Sequence, residues 1–420
     1  MPRPACIFWR MSLSHRIAPM SGRDPHEQHR AATPLELLFD LTFVVAFSQI
    51  SGEAAHYLEL GDVGTALAGF AFTTFAVSWA WINYSWLASA YDNDDLSFRI
   101  ATLVVMLGVL IVALGVPDVF HSLAEGEYLD NAVVVAGYVV MRVATVALWL
   151  RVAKDDPARR KTALAYVVNI MIAQVIWVAL IFVNLPAGTT FAIAGVLILF
   201  ELAGPVFAEL RFGRTPWHGH HIAERYALLT IITLGEVVLG TILAISAVVQ
   251  LEGWTFEAAL IALAGTTLVF GLWWVYFMMP SGRILHRHRE RGFVWGYGHI
   301  VLLGAAVGVG TGLHVAAQVI SHEAHVDATF ALMSVAVPVL VFELVLFSLY
   351  TFLVKQFDPF HIWLFVAAVV VLGLSVLTVQ AGLSIGGSLL IVAASPLVIV
   401  VGYETVGHRH QAAVLERNGV

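Results

Sequence analysis

Residues 222–247 read IAERYALLTIITLGEVVLGTILAISA. After Arg225 the run holds one charged side chain, Glu236, and otherwise reads as hydrocarbon. About 20 mostly apolar residues suffice to cross a bilayer as a helix. Eleven further runs of that kind fall at 35–57, 63–87, 99–116, 130–150, 162–184, 189–210, 255–279, 294–320, 328–353, 361–380 and 384–402. The 420 residues are 59% hydrophobic and 12% charged. Soluble domains carry about 25% charged residues, so a water-soluble fold is excluded. The expected architecture is an all-α integral membrane protein of twelve spans.

The loops fix its expected orientation. Of 22 Lys and Arg residues, 20 fall in the N-terminus, the even-numbered loops or the C-terminus. They include Arg3, Arg10, Arg16, Arg23 and Arg30 at the start, Arg151 to Lys161 in the middle, and Arg283 to Arg291 later. The odd-numbered loops carry acids instead, among them Glu59, Asp62, Asp118, Asp130, Glu252, Glu323 and Asp327. Basic loops remain cytoplasmic, so both termini are expected inside a cell membrane. Reporter fusions after Asp62, Asp130 and Glu323 should therefore read as external; a cytoplasmic reading at any of them would break this topology.

The net charge of −7 comes largely from the outer loops and points to no nucleic-acid partner. Cys6 is the only cysteine, which leaves no intrachain disulfide or cysteine-cluster metal site. The first 33 residues are polar and Arg-rich, unlike a cleavable signal peptide; Met11 and Met20 are alternative starts to Met1.

The chain reads as duplicated. FTTFAVSWAWINY from Phe72 aligns without a gap on GTTLVFGLWWVYF from Gly265. In spans 1 and 7, Glu36 matches Glu224, Thr42 matches Thr230 and Gly52 matches Gly240. Spans 4 and 10 align more weakly and set Arg142 against Glu343. Halves of six spans share one orientation, as in parallel transporter repeats. The expected division is a polar N-terminus 1–33, repeat one 34–210, a linker 211–221, repeat two 222–402 and a tail 403–420.

Charges within the spans are the candidate functional groups, because an ionisable side chain in hydrocarbon is costly and persists beside a partner or water. Glu36 and Asp40 lie four apart and share a helix face, as do His221 and Glu224 three apart. Arg142, Glu201, Glu236 and Glu343 fall deeper. One deep cation against three deep carboxylates implies that Arg142 is neutralised by one of them, here expected to be Glu236 or Glu343. The bland reading of the set is buried pairs that lock helices together.

Two stretches resemble a known family. PLELLFDLTFVVAFSQIS from Pro34 and HIAERYALLTIITLGEVVLG from His221 are similar to the two signatures of the bacterial low temperature requirement A family. The resemblance implies a multi-pass membrane protein linked to growth in the cold, without a substrate. It carries the family's polar positions onto Glu36, Asp40, Gln49, His221, Glu224, Arg225 and Glu236. Thr42 stands where the family often has an apolar residue.

Other patterns are weaker. Gly382-Leu-Ser384-Ile-Gly386 matches a nucleophile motif but lies at a turn between spans. His218, His220 and His221, and separately His322, Glu323, His325 and Asp327, are histidine-rich without the spacing of a metal helix; no metal or cofactor is assigned. Gly304, Gly308 and Gly312 read as a close-packing stripe. Trp79, Trp81, Trp273 and Trp274 are candidate cavity-lining aromatics, with packing or an interfacial belt the plainer use.

Two functions fit. One is proton- or cation-coupled movement of a small solute or ion, with Glu236 as the coupling carboxylate beside Gly235. The other is a membrane-embedded enzyme or lipid-modifying factor at the cytoplasmic face near Glu36, Asp40 and His221. A non-catalytic sensor is a third. Expected partners are membrane lipids and the small solute or ion; the sequence leaves oligomeric state open.

Overall fold

In the computed structural model, residues 17–419 are described apart from 26, 28, 29, 127, 184 and 418. Arg3, Arg10, Arg16, Cys6 and the alternative start at Met11 lie outside the described residues. Among the described residues, twelve helices are long and apolar enough to cross a membrane. Span 1 is Pro34–Glu59, span 2 Val63–Tyr91, span 3 Leu96–Glu125, span 4 Ala132–Asp155, span 5 Pro157–Ile181 and span 6 Ala187–Phe212. Span 7 is Gly219–Glu252, span 8 Phe256–Arg287, span 9 Arg289–Ile320, span 10 Ala328–Val354, span 11 Pro359–Gln380 and span 12 Ile385–Arg417. No extended strand is present among the described residues.

Caps explain where the helices begin. Thr33 and Glu36 form a reciprocal capping box ahead of span 1, which satisfies two otherwise orphaned backbone N–H groups. Asp62, Asp95, Asp327 and Ser384 cap spans 2, 3, 10 and 12 through side-chain oxygens. Ser384 thus ends up as a helix cap rather than on a nucleophile turn. Three ends depart from the expected boundaries. Most of residues 117–129, expected as an outer loop, instead belong to a further helix, Val116–Glu125, after Gly115. Val116, Val119 and Phe120 recur at helical spacing and are buried, and Gly69 of span 2 leaves room for the Phe120 ring. Span 7 begins at Gly219, inside the expected linker. The tail continues through a wide turn at Tyr403–Gly407 into the helix His408–Arg417.

The loops separate onto two faces. On one, Arg151 pairs with Asp95, the Arg159 side chain donates to the Arg214 carbonyl at 3.3 Å, and Arg289 donates to the Thr215 carbonyl at 2.8 Å. Arg291 donates to the Leu353 carbonyl, His410 meets Asp358 at 2.7 Å, and the Ala18 N–H donates to Asp95 at 3.0 Å. Both described ends of the chain thus join the even-numbered loops on a basic face. On the other, the His325 N–H donates to the Glu59 carbonyl at 2.8 Å, and the Gly386 N–H donates to Glu257 at 2.6 Å. That acidic face holds the odd-numbered loops.

Span 9 is the hub. It packs on spans 7, 10, 1 and 2, and 78% of its apolar window is buried, against 17% for span 5 and 28% for spans 6 and 11. Small residues permit this. A Cβ on Gly312 would stand 2.2 Å from the Ser334 carbonyl oxygen of span 10, and one on Gly310 would stand 2.6 Å from the Glu236 backbone of span 7. Without a hydrophobic force between helices in lipid, such close approach supplies the packing. Gly304 and Gly308 press on span 2 and span 10 side chains in the same manner.

Candidate functional site

Spans 1, 7 and 9 meet along one seam, and most signature residues lie on it. At its basic end, Glu36, Asp40, His221 and Arg225 form one cluster, each no more than 1% exposed. The Arg225 guanidinium spans both carboxylates, 2.8 Å from Glu36 Oε1 and 2.6 Å from Asp40 Oδ1. Its planar fork is bidentate on Asp40, through Nε and Nη2, while the Glu36 contact is an ion pair. Trp81 donates through Nε1 to Asp40 Oδ1 at 2.7 Å, and the Arg225 guanidinium lies 5.6 Å from the centre of the Trp81 ring. Trp81 therefore holds a carboxylate, and the sequence-based expectation that it lines a cavity does not fit this geometry.

His221 completes the cluster. Its Nε2 is 3.2 Å from Glu36 Oε2 and its Nδ1 is 3.1 Å from the Ser89 hydroxyl. A carboxylate oxygen accepts, so Nε2 is the donor where the ring bonds Glu36. The Thr33 N–H adds a bond to Glu36 Oε2 at 2.8 Å. Glu224, three residues from His221, is half-buried and reaches the Ala32 backbone instead.

The segment ahead of span 1 lies over this cluster. Arg30 donates to the Ser89 carbonyl, and to that of Ala88 at 2.9 Å, at the helix end whose dipole favours a cation. Burial pushes Arg30 down to about 10, so it remains charged. Beside it, Asp92 is 3% exposed and is pushed up to about 6, first by burial and then by the Glu36 charge, with Arg23 and Arg30 opposing. That value lies above the roughly 3.9 of an unfolded aspartate. The folded state thus binds the proton more tightly. Its stabilising contribution is full below about pH 4 and is lost as pH rises through 6. Asp92→Asn is expected to flatten the melting midpoint across that window; an unchanged pH profile would contradict it.

Deeper on the seam, Glu236 accepts from the Ser48 hydroxyl and has Ser51 as a second hydroxyl neighbour. Ser51 is 3.0 Å from Thr311 of span 9. Glu236 is 3% exposed, and its Oε2 makes no hydrogen bond among the described residues. Gly235, expected to open space beside it, is exposed with nothing near its missing Cβ. Gly310 and Gly240 are the glycines that let the backbones close around Glu236. One helical turn beyond, a cavity of about 390 Å³ opens at the acidic end, with Gly52, Glu59, Gln250, His314 and Gln318 in its walls. Gln49 lies off this line and donates to Glu53 at 3.2 Å.

The remaining deep charges are elsewhere. Arg142 pairs with Glu201 at 2.6 Å, not with Glu236 or Glu343. Glu201 also accepts from Trp79 Nε1 at 2.7 Å and Trp177 Nε1 at 2.9 Å, so spans 2, 4, 5 and 6 converge on one saturated carboxylate. Trp79 lines a crevice of about 30 Å³ beside it. Glu343 faces the Ser395 hydroxyl of span 12 at 2.9 Å. Glu236 and Glu343 thus have separate partners. Trp273 and Trp274 line a shallow groove with Arg283 and Tyr403 toward the basic face. Among the described residues, no three His, Cys, Asp or Glu side chains are grouped so as to hold a metal ion. Arg142→Ala and Glu201→Gln are each expected to lower folded yield, and the double variant to lose less than the sum; strict additivity in detergent melting would refute the pairing.

Sequence reasoning missed Ser48, Ser51, Thr311, Ser89, Arg30 and Ser395. Ser48 and Ser51 carried a signal, since they follow Asp40 at intervals of eight and eleven on one helix face.

The twelve spans with their sealed and open ends define a multi-pass helical membrane protein. Residues 31–396 match the family described as bacterial low temperature requirement A protein, and the chain belongs to that family. It is also similar to an uncharacterised protein of Rhizobium meliloti (strain 1021), 24% identical over 317 residues, covering 72% of this chain and 73% of that one.

Proposed function

We propose that the protein moves a small solute or ion across the membrane, coupled to protons or other cations, along the seam of spans 1, 7 and 9. The observation that carries this reading is Glu236. It is a buried carboxylate held by a hydroxyl, with one oxygen unbonded among the described residues, a turn below a cavity on the acidic face. The same seam is sealed toward the basic face by Glu36, Asp40, His221 and Arg225. A site near mid-membrane that is open on one side only is the resting form expected of alternating access.

Two further points support the reading. Part of the helix-neighbour pattern repeats: spans 1 and 7 each pack on the two spans that follow, spans 3 and 9 on the next, and so on to spans 5–6 and 11–12, although the broad packing of span 8 on span 12 has no match of that extent between spans 2 and 6. The polar contacts also correspond, Arg142 of span 4 with Glu201 of span 6 and Glu343 of span 10 with Ser395 of span 12. Two parallel six-span repeats would produce both. By the distribution of Lys and Arg, the basic face is cytoplasmic. The enzyme reading has less to stand on, because Glu36, Asp40 and His221 are occupied with one another and with Arg225 at no more than 1% exposure.

The test uses cysteine accessibility. In a Cys6→Ser background, Ser48→Cys is expected to react with a membrane-impermeant thiol reagent added at the acidic face, and not with reagent at the basic face. No modification from either side would remove the water path and the transport reading with it.

A further inference from the structure

We infer that the acidic-face cavity between spans 1, 7 and 9 is a binding site for a small organic cation bearing a protonated amine. The inference deepens the transport reading by naming the class of ligand, but binding itself does not depend on transport.

The electrostatics exclude an anion. The loops of this face carry no Lys or Arg, whereas Glu59, Asp62, Glu252, Glu323 and Asp327 lie in the loops and helix ends of the three seam spans and their neighbours. A mouth lined by one sign of charge concentrates ligands of the other. The walls supply acceptors. Glu59 contributes a carboxylate, steadied by His56 at 3.0 Å. Gln250 and Gln318 contribute amide oxygens. His314 adds an imidazole to the wall, with its Nε2 buried away from the cavity surface and without a hydrogen-bond partner among the described residues. An ammonium group offers three donors and no acceptor, which suits a carboxylate and amide oxygens.

Size separates an organic amine from a bare ion. A volume of about 390 Å³ falls in the roughly 300–1,000 Å³ range of small-molecule sites, far beyond a dehydrated metal ion. The apolar part of the wall, Ala55, Leu243, Ala247 and Ala317, gives a short hydrocarbon body a surface to cover. The floor at Gly52 and His314 lies one turn above Glu236. A Cβ on Gly240 would stand 3.1 Å from the His314 ring, so the imidazole packs against span 7 at that level. An amine bound here is thus poised above the buried carboxylate.

The full-length protein, purified in detergent, is melted with n-butylamine, n-butanol or butyrate at matched ionic strength, and with sodium chloride alone. Binding to the folded state raises the midpoint with ligand concentration. Butylamine alone is expected to do so. Glu59→Gln is expected to need at least about tenfold more amine for the same shift, the loss of one charge-assisted hydrogen bond. Asp118→Asn removes the same charge from an exposed position on the same face, outside the cavity and its mouth, and should leave the shift unchanged. If Glu59→Gln does not fold, Gly52→Trp fills the floor from a position with open space around it and should abolish the shift. Equal stabilisation by butyrate, butanol or sodium, or an undiminished shift in Glu59→Gln, overturns the inference. Amine binding without uptake into vesicles sustains this site and counts against transport. Uptake without Glu59-dependent binding sustains transport and rejects the site.

Discussion

Arg225→Ala is expected to eliminate most folded protein. The guanidinium is fully buried and is the cation shared by Glu36 and Asp40. Its removal leaves two carboxylates on one face of span 1, four residues apart, with only Thr33, Trp81 and His221 to hold them. Breaking a buried pair by deleting one partner costs about 3–5 kcal/mol, a large share of the roughly 5–15 kcal/mol that separates folded from unfolded domains. Here two pairs are lost at once, together with the contact to the Trp81 ring. Arg225→Lys is expected to rescue little, since a single ammonium cannot keep the bidentate bond to Asp40 while pairing with Glu36. Yield of monodisperse protein and its melting midpoint are the readouts. A wild-type midpoint in Arg225→Ala would mean that the cluster contributes no stability.

That cluster shows what a sequence can and cannot say about a membrane site. The spacing of Glu36 with Asp40 placed each on a common helix face, because the helical period is fixed by backbone geometry. The apolar runs located the spans because lipid forces every backbone group into helical bonds. Neither rule names the neighbouring helix. Arg142 had three deep carboxylates to choose from, and the choice of Glu201 follows from spans 4 and 6 meeting beside Trp79 and Trp177. That contact is set by the shapes of four helices together. Gly235 illustrates the same gap. It is adjacent to Glu236 in sequence but faces outward, while Gly310, 74 positions away, touches the Glu236 backbone. The helix Val116–Glu125 is different, for its Val116, Val119 and Phe120 spacing is readable in the sequence.

Glu236→Gln is expected to leave the protein folded and inserted while reducing its transport activity to background. The amide keeps the size of the carboxylic acid, and its carbonyl oxygen can still accept from Ser48. It cannot ionise. The nitrogen would take the place of Oε2, which makes no hydrogen bond among the described residues, so the exchange breaks no existing contact of that atom. Stability therefore gives little reason for a carboxylate here. A role as helix glue predicts that Gln serves as well as Glu, because glue needs only the hydrogen bond between spans 1 and 7. A coupling role predicts the reverse, because charge must appear and vanish as cavity water or a cation reaches the group. Ser48→Ala separates the two effects: it removes the bond and keeps the acid, so glue loses stability there while coupling retains activity. The two variants are compared for melting midpoint, for flux into vesicles, and for growth of a deletion strain at low temperature at equal protein abundance. If Glu236→Gln supports growth and flux as the wild type does, Glu236 is a structural contact and the path must run elsewhere.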